Sequence, residues 1–99
     1  MLTVGQGDVI QVEGIKYKLL VVSNDVFNRS ENVIVCPFDK NVEEGALHLH
    51  LNTEKDYGFL VCEDVKRLDL NYRGYKKIES LSYNDVFEAI DAIQSIFEF

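Results

Sequence analysis

Two histidines one residue apart, His48 and His50, stand in the alternating stretch 46–52 (ALHLHLN). Successive side chains of a strand point to opposite faces, so both imidazoles share one face and Leu47, Leu49 and Leu51 share the other. Two imidazoles make half a metal site, and no third ligand follows at a matching spacing, so neither metal nor cofactor is expected. Acid–base work is the chemistry left to His48, because imidazole titrates near neutral pH; the plain alternative is an exposed polar strand face. Glu63-Asp64 closes an apolar stretch and opens a basic one. A carboxylate there, held ionised by Lys66 or Arg67, could serve as general base on a ribose hydroxyl; salt-bridging at a strand end is the alternative. Tyr17 lies between Lys16 and Lys18. An aromatic between two ammonium groups can stack on a base while the lysines meet phosphates, or it can simply be a half-exposed strand residue. No glycine-rich phosphate loop and no Ser-His-Asp arrangement is visible.

The charge around these residues is uneven. The chain has 99 residues and a formal net charge of −7. Residues 1–65 hold five basic and eleven acidic side chains, and residues 78–99 hold five acids and no base. Residues 66–77 carry Lys66, Arg67, Arg73, Lys76 and Lys77 against Asp69 alone. The acidic total excludes a general polyanion binder, but the local patch could meet phosphate or an acidic peptide. Alternatively, its bases pair with acids of neighbouring strands and the helix.

The elements that must position these groups follow from hydrophobic periodicity. Apolar residues make up 46% of the chain and run along its whole length, which indicates one globular domain over 1–99. Residues 7–13 (GDVIQVE) form a strand, followed by a tight turn at Glu13-Gly14. Residues 18–23 (KLLVVS) and 32–38 (NVIVCPF) are continuous apolar runs suited to strands buried on both faces, the second ended by Pro37. Asn24-Asp25 and Asn28-Arg29-Ser30 mark turns around Val26 and Phe27, and residues 39–45 and 53–56 are polar loops. Further strands are expected over 46–52, 57–63 and 65–70. The period then changes: Ser82 stands three residues before Asp85, as in a capping box, and Val86, Ile90, Ile93 and Phe97 form one helical stripe with Ala89 and Ile96 alongside. The expectation is a mainly β fold: a five- to seven-stranded, mostly antiparallel barrel closed by one helix near 83–97. No apolar run reaches the roughly 18–20 residues of a membrane span, no signal peptide is visible, and Cys36 and Cys62 read as free buried thiols of a cytoplasmic protein.

Four segments, in order, resemble the MazF/PemK (Kid) toxins of toxin–antitoxin systems. Gly7-Asp8-Val9-Ile10 resembles the family's opening strand, and residues 19–29 (LLVVSNDVFNR) resemble its apolar strand followed by S-N-D-x-x-N-R. Residues 58–70 (GFLVCEDVKRLDL) resemble the later double strand, and 81–97 the closing helix. The resemblance implies an SH3-like barrel, a homodimer, an antitoxin partner, and sequence-selective, metal-independent cleavage of single-stranded mRNA. Several positions depart from the family pattern. The first loop is cut to about residues 13–16, and the family's Arg-Pro pair falls on Tyr17 and Lys18. The hydroxyl residue before the middle strand falls on Ala46 and Leu47. The later arginine and aspartate fall on Val61 and Glu63.

Three readings follow. In a ribonuclease toxin, Glu63 is the base, His48 or Lys18 the acid, Lys66 or Arg67 the phosphate holder, and Lys16 and Tyr17 bind RNA, with weak or lost activity. In a catalytically degenerate dimer, the same surface binds nucleic acid or a peptide. In a structural accessory protein, the chain only dimerises.

Overall fold

The computed structural model describes residues 3–98. Seven strands and two helices follow one another: β1 (Asp8–Val12), β2 (Leu19–Val21), α1 (Asp25–Asn28), β3 (Asn32–Asp39), β4 (His48–Leu49), β5 (Phe59–Val61), β6 (Lys66–Asp69), β7 (Tyr75–Ser80) and α2 (Tyr83–Ser95). Their order across the sheet is β4-β5-β3-β2-β1-β7, with β6 also on β3, and every pairing is antiparallel. The result is the expected mainly β fold with a C-terminal helix. Its hydrogen-bond ladder stays open between β4 and β7, and a side chain of β7 spans the gap. Glu79 accepts the Glu54 backbone N–H at 3.2 Å and the Tyr57 hydroxyl at 2.7 Å.

The long strand β3 is the hub. One edge pairs with β2, as in Leu19↔Pro37 and Val21↔Val35; the other takes β6 along Asn32–Val35 and β5 at Phe38 and Asp39. The strand thus continues past Pro37 rather than ending there. Proline removes one donor, but the next residue restores the ladder: the Phe38 N–H donates to the Lys18 carbonyl at 2.9 Å. Both faces of β2 and β3 are covered, which is why their sequences are continuously apolar. Val9, Leu20, Cys36, Phe38, Leu60 and Cys62 form one core with Leu51 and Ala89, against which Ile90, Ala92 and Ile93 of α2 pack. Ile10, Val12, Leu19, Val21, Val33, Val35 and Leu70 form the other.

Further expectations need correction, among them the strands expected over 57–63 and 65–70, which are Phe59–Val61 and Lys66–Asp69. The segment 24–28 is a one-turn helix, α1, rather than loose turns. Asn24 caps it by accepting the Phe27 N–H, and Ser23 Oγ bonds Asn28 Oδ1 at 2.5 Å while accepting the Ile34 N–H at 2.9 Å. The S-N-D-x-x-N stretch therefore clamps α1 to β3. Strand β4 shrinks to His48–Leu49 because the chain then leaves the sheet for the helix, where Asp85 Oδ1 accepts the Asn52 side-chain amide at 3.2 Å. Strand β7 was not expected. Helix α2 starts as expected, with Ser82 accepting the Asp85 N–H, but ends at Ser95, leaving Phe97 74% exposed beyond the Ile96 cap. No helix of the described residues is long and apolar enough to cross a membrane.

Candidate functional site

Strands β4 and β5 pair in the register His48↔Val61, and Glu63 stands two residues after Val61. A cross-strand pair shares one face, and the turn after β5 brings the Glu63 side chain to the His48 ring. His48 Nε2 lies 2.9 Å from Glu63 Oε2, and His48 Nδ1 lies 2.7 Å from the Glu43 carbonyl. Both ring nitrogens face acceptors, an arrangement only the imidazolium satisfies fully. The Glu63 bond, then the Glu43 carbonyl, raise the His48 pKa above its ordinary value. The same bond, with the backbone, holds Glu63 below the usual carboxylate range. The two residues that sequence reasoning took separately as acid and base are thus one ion pair, partly open to solvent. His50 takes no part: its ring meets Phe59 edge-on at 6.1 Å.

The Lys16–Tyr17–Lys18 segment lies at the end of the sheet where β2 begins, β3 ends and β5 begins. These three residues line a cleft of about 300 Å³ with Phe38, Asp39, Lys40, Asn41, Asp56 and Tyr57. Gly58 makes the cleft possible. Its φ is +92°, and a Cβ there would stand 2.4 Å from the Asp39 carbonyl group, so only glycine lets the Asp56–Tyr57 turn press against β3. Lys16 Nζ sits 5.0 Å from the Tyr17 ring centre. Tyr57 meets Phe38 edge-on at 5.6 Å, and burial with the Glu79 bond pushes its hydroxyl up to about 12.

A second, smaller cavity of about 110 Å³ shares Tyr17 as a wall and is also lined by Asp64, Lys66 and Leu68. Lys66 therefore meets the Tyr17 segment, and Glu63 adjoins that cavity through its chain neighbour Asp64. Arg67 does not join them: it pairs with Ile34 in the ladder and alternates to the other face of β6. Among the described residues the ion pairs are His48–Glu63 and Lys77–Asp8, the latter at 3.6 Å. Among the described residues, Lys16, Lys18, Lys40, Lys66 and Arg67 thus have no carboxylate within ion-pair distance. Of the basic patch, Lys77 is neutralised by a neighbouring strand, through Asp8 of β1.

Sequence reasoning missed Lys40, Asp39, Asn41, Asp56, Tyr57 and the Glu43 carbonyl. They lie in stretches read as polar loops or, for Tyr57, as the start of a strand, and only the convergence of β2, β3 and β5 brings the cleft residues together. The cysteines are free and buried, and burial raises Cys36 to about 12 and Cys62 to about 11. No group of three or more histidine, cysteine or acidic side chains among the described residues is placed to hold a metal ion.

No curated protein matches the sequence. The fold is close to solved structures at low identity. A chain of the MazE–MazF crystal structure (form I) from Deinococcus radiodurans superposes with a TM-score of 0.85 at 14% identity, covering 98% of each chain. An endoribonuclease from a mycobacterial species gives 0.82 at 13% identity, over 98% of this chain and 93% of that one. An endoribonuclease in complex with its cognate antitoxin, also mycobacterial, gives 0.80 at 13%, over 96% and 95%. The sequence itself matches the profile of the PemK-like, MazF-like toxins of type II toxin–antitoxin systems over residues 10–97, and the chain belongs to that family.

Proposed function

We propose that this protein is a cytoplasmic toxin that cleaves single-stranded RNA without a metal and is held in check by an antitoxin. The His48–Glu63 pair carries the reading, because it sets a carboxylate and an imidazole 2.9 Å apart and partly open to solvent. Glu63 Oε1 takes the proton of a ribose 2′-hydroxyl; the 2′-oxygen attacks the adjacent phosphorus, and the bond to the 5′-oxygen breaks. Taking that proton neutralises Glu63 and loosens its hold on the imidazolium. The Nε2–H is then free for the departing 5′-oxygen, leaving a 2′,3′-cyclic phosphate and a 5′-hydroxyl. Lys18, Lys16 and Lys66 supply cations around Tyr17.

The reaction is slow. Tyr17 stands where the resemblance places an arginine, and lysine cannot make the bidentate phosphate contact an arginine makes. Removing one preorganised charge stabiliser costs about 100- to 1000-fold in rate. The antitoxin partner is supported by the family and by the MazE–MazF and cognate-antitoxin complexes among the structural neighbours; the homodimer rests on the family resemblance alone. Induced expression in a bacterial host tests the proposal: growth arrest with loss of mRNA, abolished by Glu63→Ala, is expected. Arrest that persists in Glu63→Ala would refute the assigned base. A second reading, a binding module without catalysis, is favoured by the lost arginine; RNA retention without cleavage would establish it.

A further inference from the structure

The cleft beside Tyr17 mixes groups that a phosphate site would not. Lys16, Lys18 and Lys40 line it with no carboxylate among the described residues within ion-pair distance, yet Asp39 and Asp56 line it too. A bare phosphate would use the lysines and leave the two carboxylates without a donor. A group with hydrogen-bond donors on its edge, carried between phosphates, suits both signs of charge at once. Two tyrosine rings, Tyr17 and Tyr57, share the lining, and a volume of about 300 Å³ is at the lower end for small-molecule sites. Such a space accepts one nucleotide-sized group. Single-stranded RNA is read this way, with the unstacked base on aromatic side chains and its Watson–Crick edge hydrogen-bonded.

The carboxylates are held in place by their own turns. Asp39 Oδ1 accepts the Asn41 N–H at 2.8 Å, and Asp56 Oδ1 accepts the Gly58 N–H at 2.9 Å. Each keeps Oδ2 and a second lone pair on Oδ1 for further donors. Guanine is the base that offers a carboxylate two adjacent donors, N1–H and the 2-amino group. Adenine, cytosine and uracil each offer one donor group on that edge. Guanine's O6 and N7 are acceptors, and lysine ammonium groups match them.

We infer that this cleft is a guanine-reading subsite, in which Asp56 or Asp39 accepts N1–H and the 2-amino group while the lysines meet O6, N7 and the flanking phosphates. The inference rests on the proposed RNA-binding reading and adds its base preference. The surface of α2, with Tyr83 stacked on Phe87, has no such signature of what would cover it.

The test uses the full-length protein and uncleavable 2′-O-methyl hexanucleotides of uridine with one central guanosine, inosine, adenosine, cytidine or uridine, with binding read by fluorescence anisotropy. Inosine differs from guanosine only in lacking the 2-amino group. The guanosine oligomer should bind about 5- to 150-fold more tightly than the others, inosine included, as expected for a bidentate base contact. Asp56→Asn or Asp39→Asn should abolish the preference. Asparagine keeps a turn acceptor, and thermal unfolding of each variant confirms that it folds. Equal binding of all five oligomers, a preference for another base, or a guanosine preference that survives both substitutions would overturn the guanine subsite and leave RNA binding standing. Failure to bind any oligomer would overturn the RNA-binding reading itself, and the subsite with it.

Discussion

Replacing Gly58 with alanine will destabilise the protein far more than replacing Gly14, although both glycines have a left-handed backbone. Gly14 has φ +83° and nothing within 4 Å of a built Cβ. Its alanine variant carries only the conformational cost, about 1–2 kcal/mol, partly offset by the stiffer unfolded chain, worth about 0.4–1 kcal/mol. Gly58 has φ +92°, and its Cβ would stand 2.4 Å from the Asp39 carbonyl carbon and oxygen and 2.5 Å from the Lys40 nitrogen. These are backbone atoms of the hub strand and the residue after it, and they cannot swing aside. Forcing the chain apart adds an overpacking cost of about 1–3 kcal/mol. The total for Gly58→Ala is then about 2–4 kcal/mol, against about 1 kcal/mol for Gly14→Ala. At about 4–8 °C per kcal/mol for a domain of this size, Gly58→Ala should lower Tm by at least about 8 °C. Circular dichroism melts of the two variants decide the matter. Equal losses would refute the packing argument, and with it the account of how the cleft is built.

Other outcomes follow from the same geometry. The His48 ring protons, followed by NMR, should titrate with a midpoint above the ordinary 6.5, and Glu63→Gln should bring it down; a wild-type midpoint at or below 6.5 would dissolve the pair. A raised histidine pKa contributes stability below its ordinary value that is lost as pH climbs through the raised one. A lowered carboxylate pKa contributes stability above its ordinary 4.5 that is lost as pH falls through the lowered one. The pair therefore supports the fold most between about 4.5 and 6.5. Leu60→Ala, at a fully buried position, should cost about 2–5 kcal/mol in urea unfolding. Phe97→Ala, 74% exposed, should stay within about 0.5 kcal/mol of wild type; a large loss there would restore Phe97 to the helix stripe. The two cysteines should react with a thiol reagent only on unfolding, since burial keeps both thiols protonated.

What the sequence made legible depended on how many faces each element buries. Strands β2 and β3 were readable because both faces are covered, and α2 because Ser82 and Asp85 mark its start. Strand β7 was missed because its apolar residues, Tyr75 and Ile78, are three apart, a spacing that does not alternate on one face. They serve different cores: Tyr75 packs against the Ile10–Val12 side and Ile78 against the Val9–Phe38 side. Phe97 was placed in the stripe because periodicity carries no stop signal, whereas the helix ends at Ser95. At the site, His48 and Glu63 were recognisable by residue type. Their union depends on the His48↔Val61 register, which pattern alone does not give. Lys66 and Arg67 looked equivalent in sequence, yet strand alternation sends them to opposite faces. The cleft residues around Asp39 and Asp56 lay in loops whose polarity says only that they are loops.

The central claim is that Glu63, paired with His48, serves as the base for metal-independent RNA cleavage. Incubating purified protein with a long single-stranded RNA in the presence of a chelator, and analysing the product ends, tests it most directly. Slow, salt-sensitive cleavage that leaves 2′,3′-cyclic phosphate ends and is lost in Glu63→Gln at unchanged folding is the expected result. Cleavage that requires a divalent ion, or that proceeds equally well in Glu63→Gln, would contradict it.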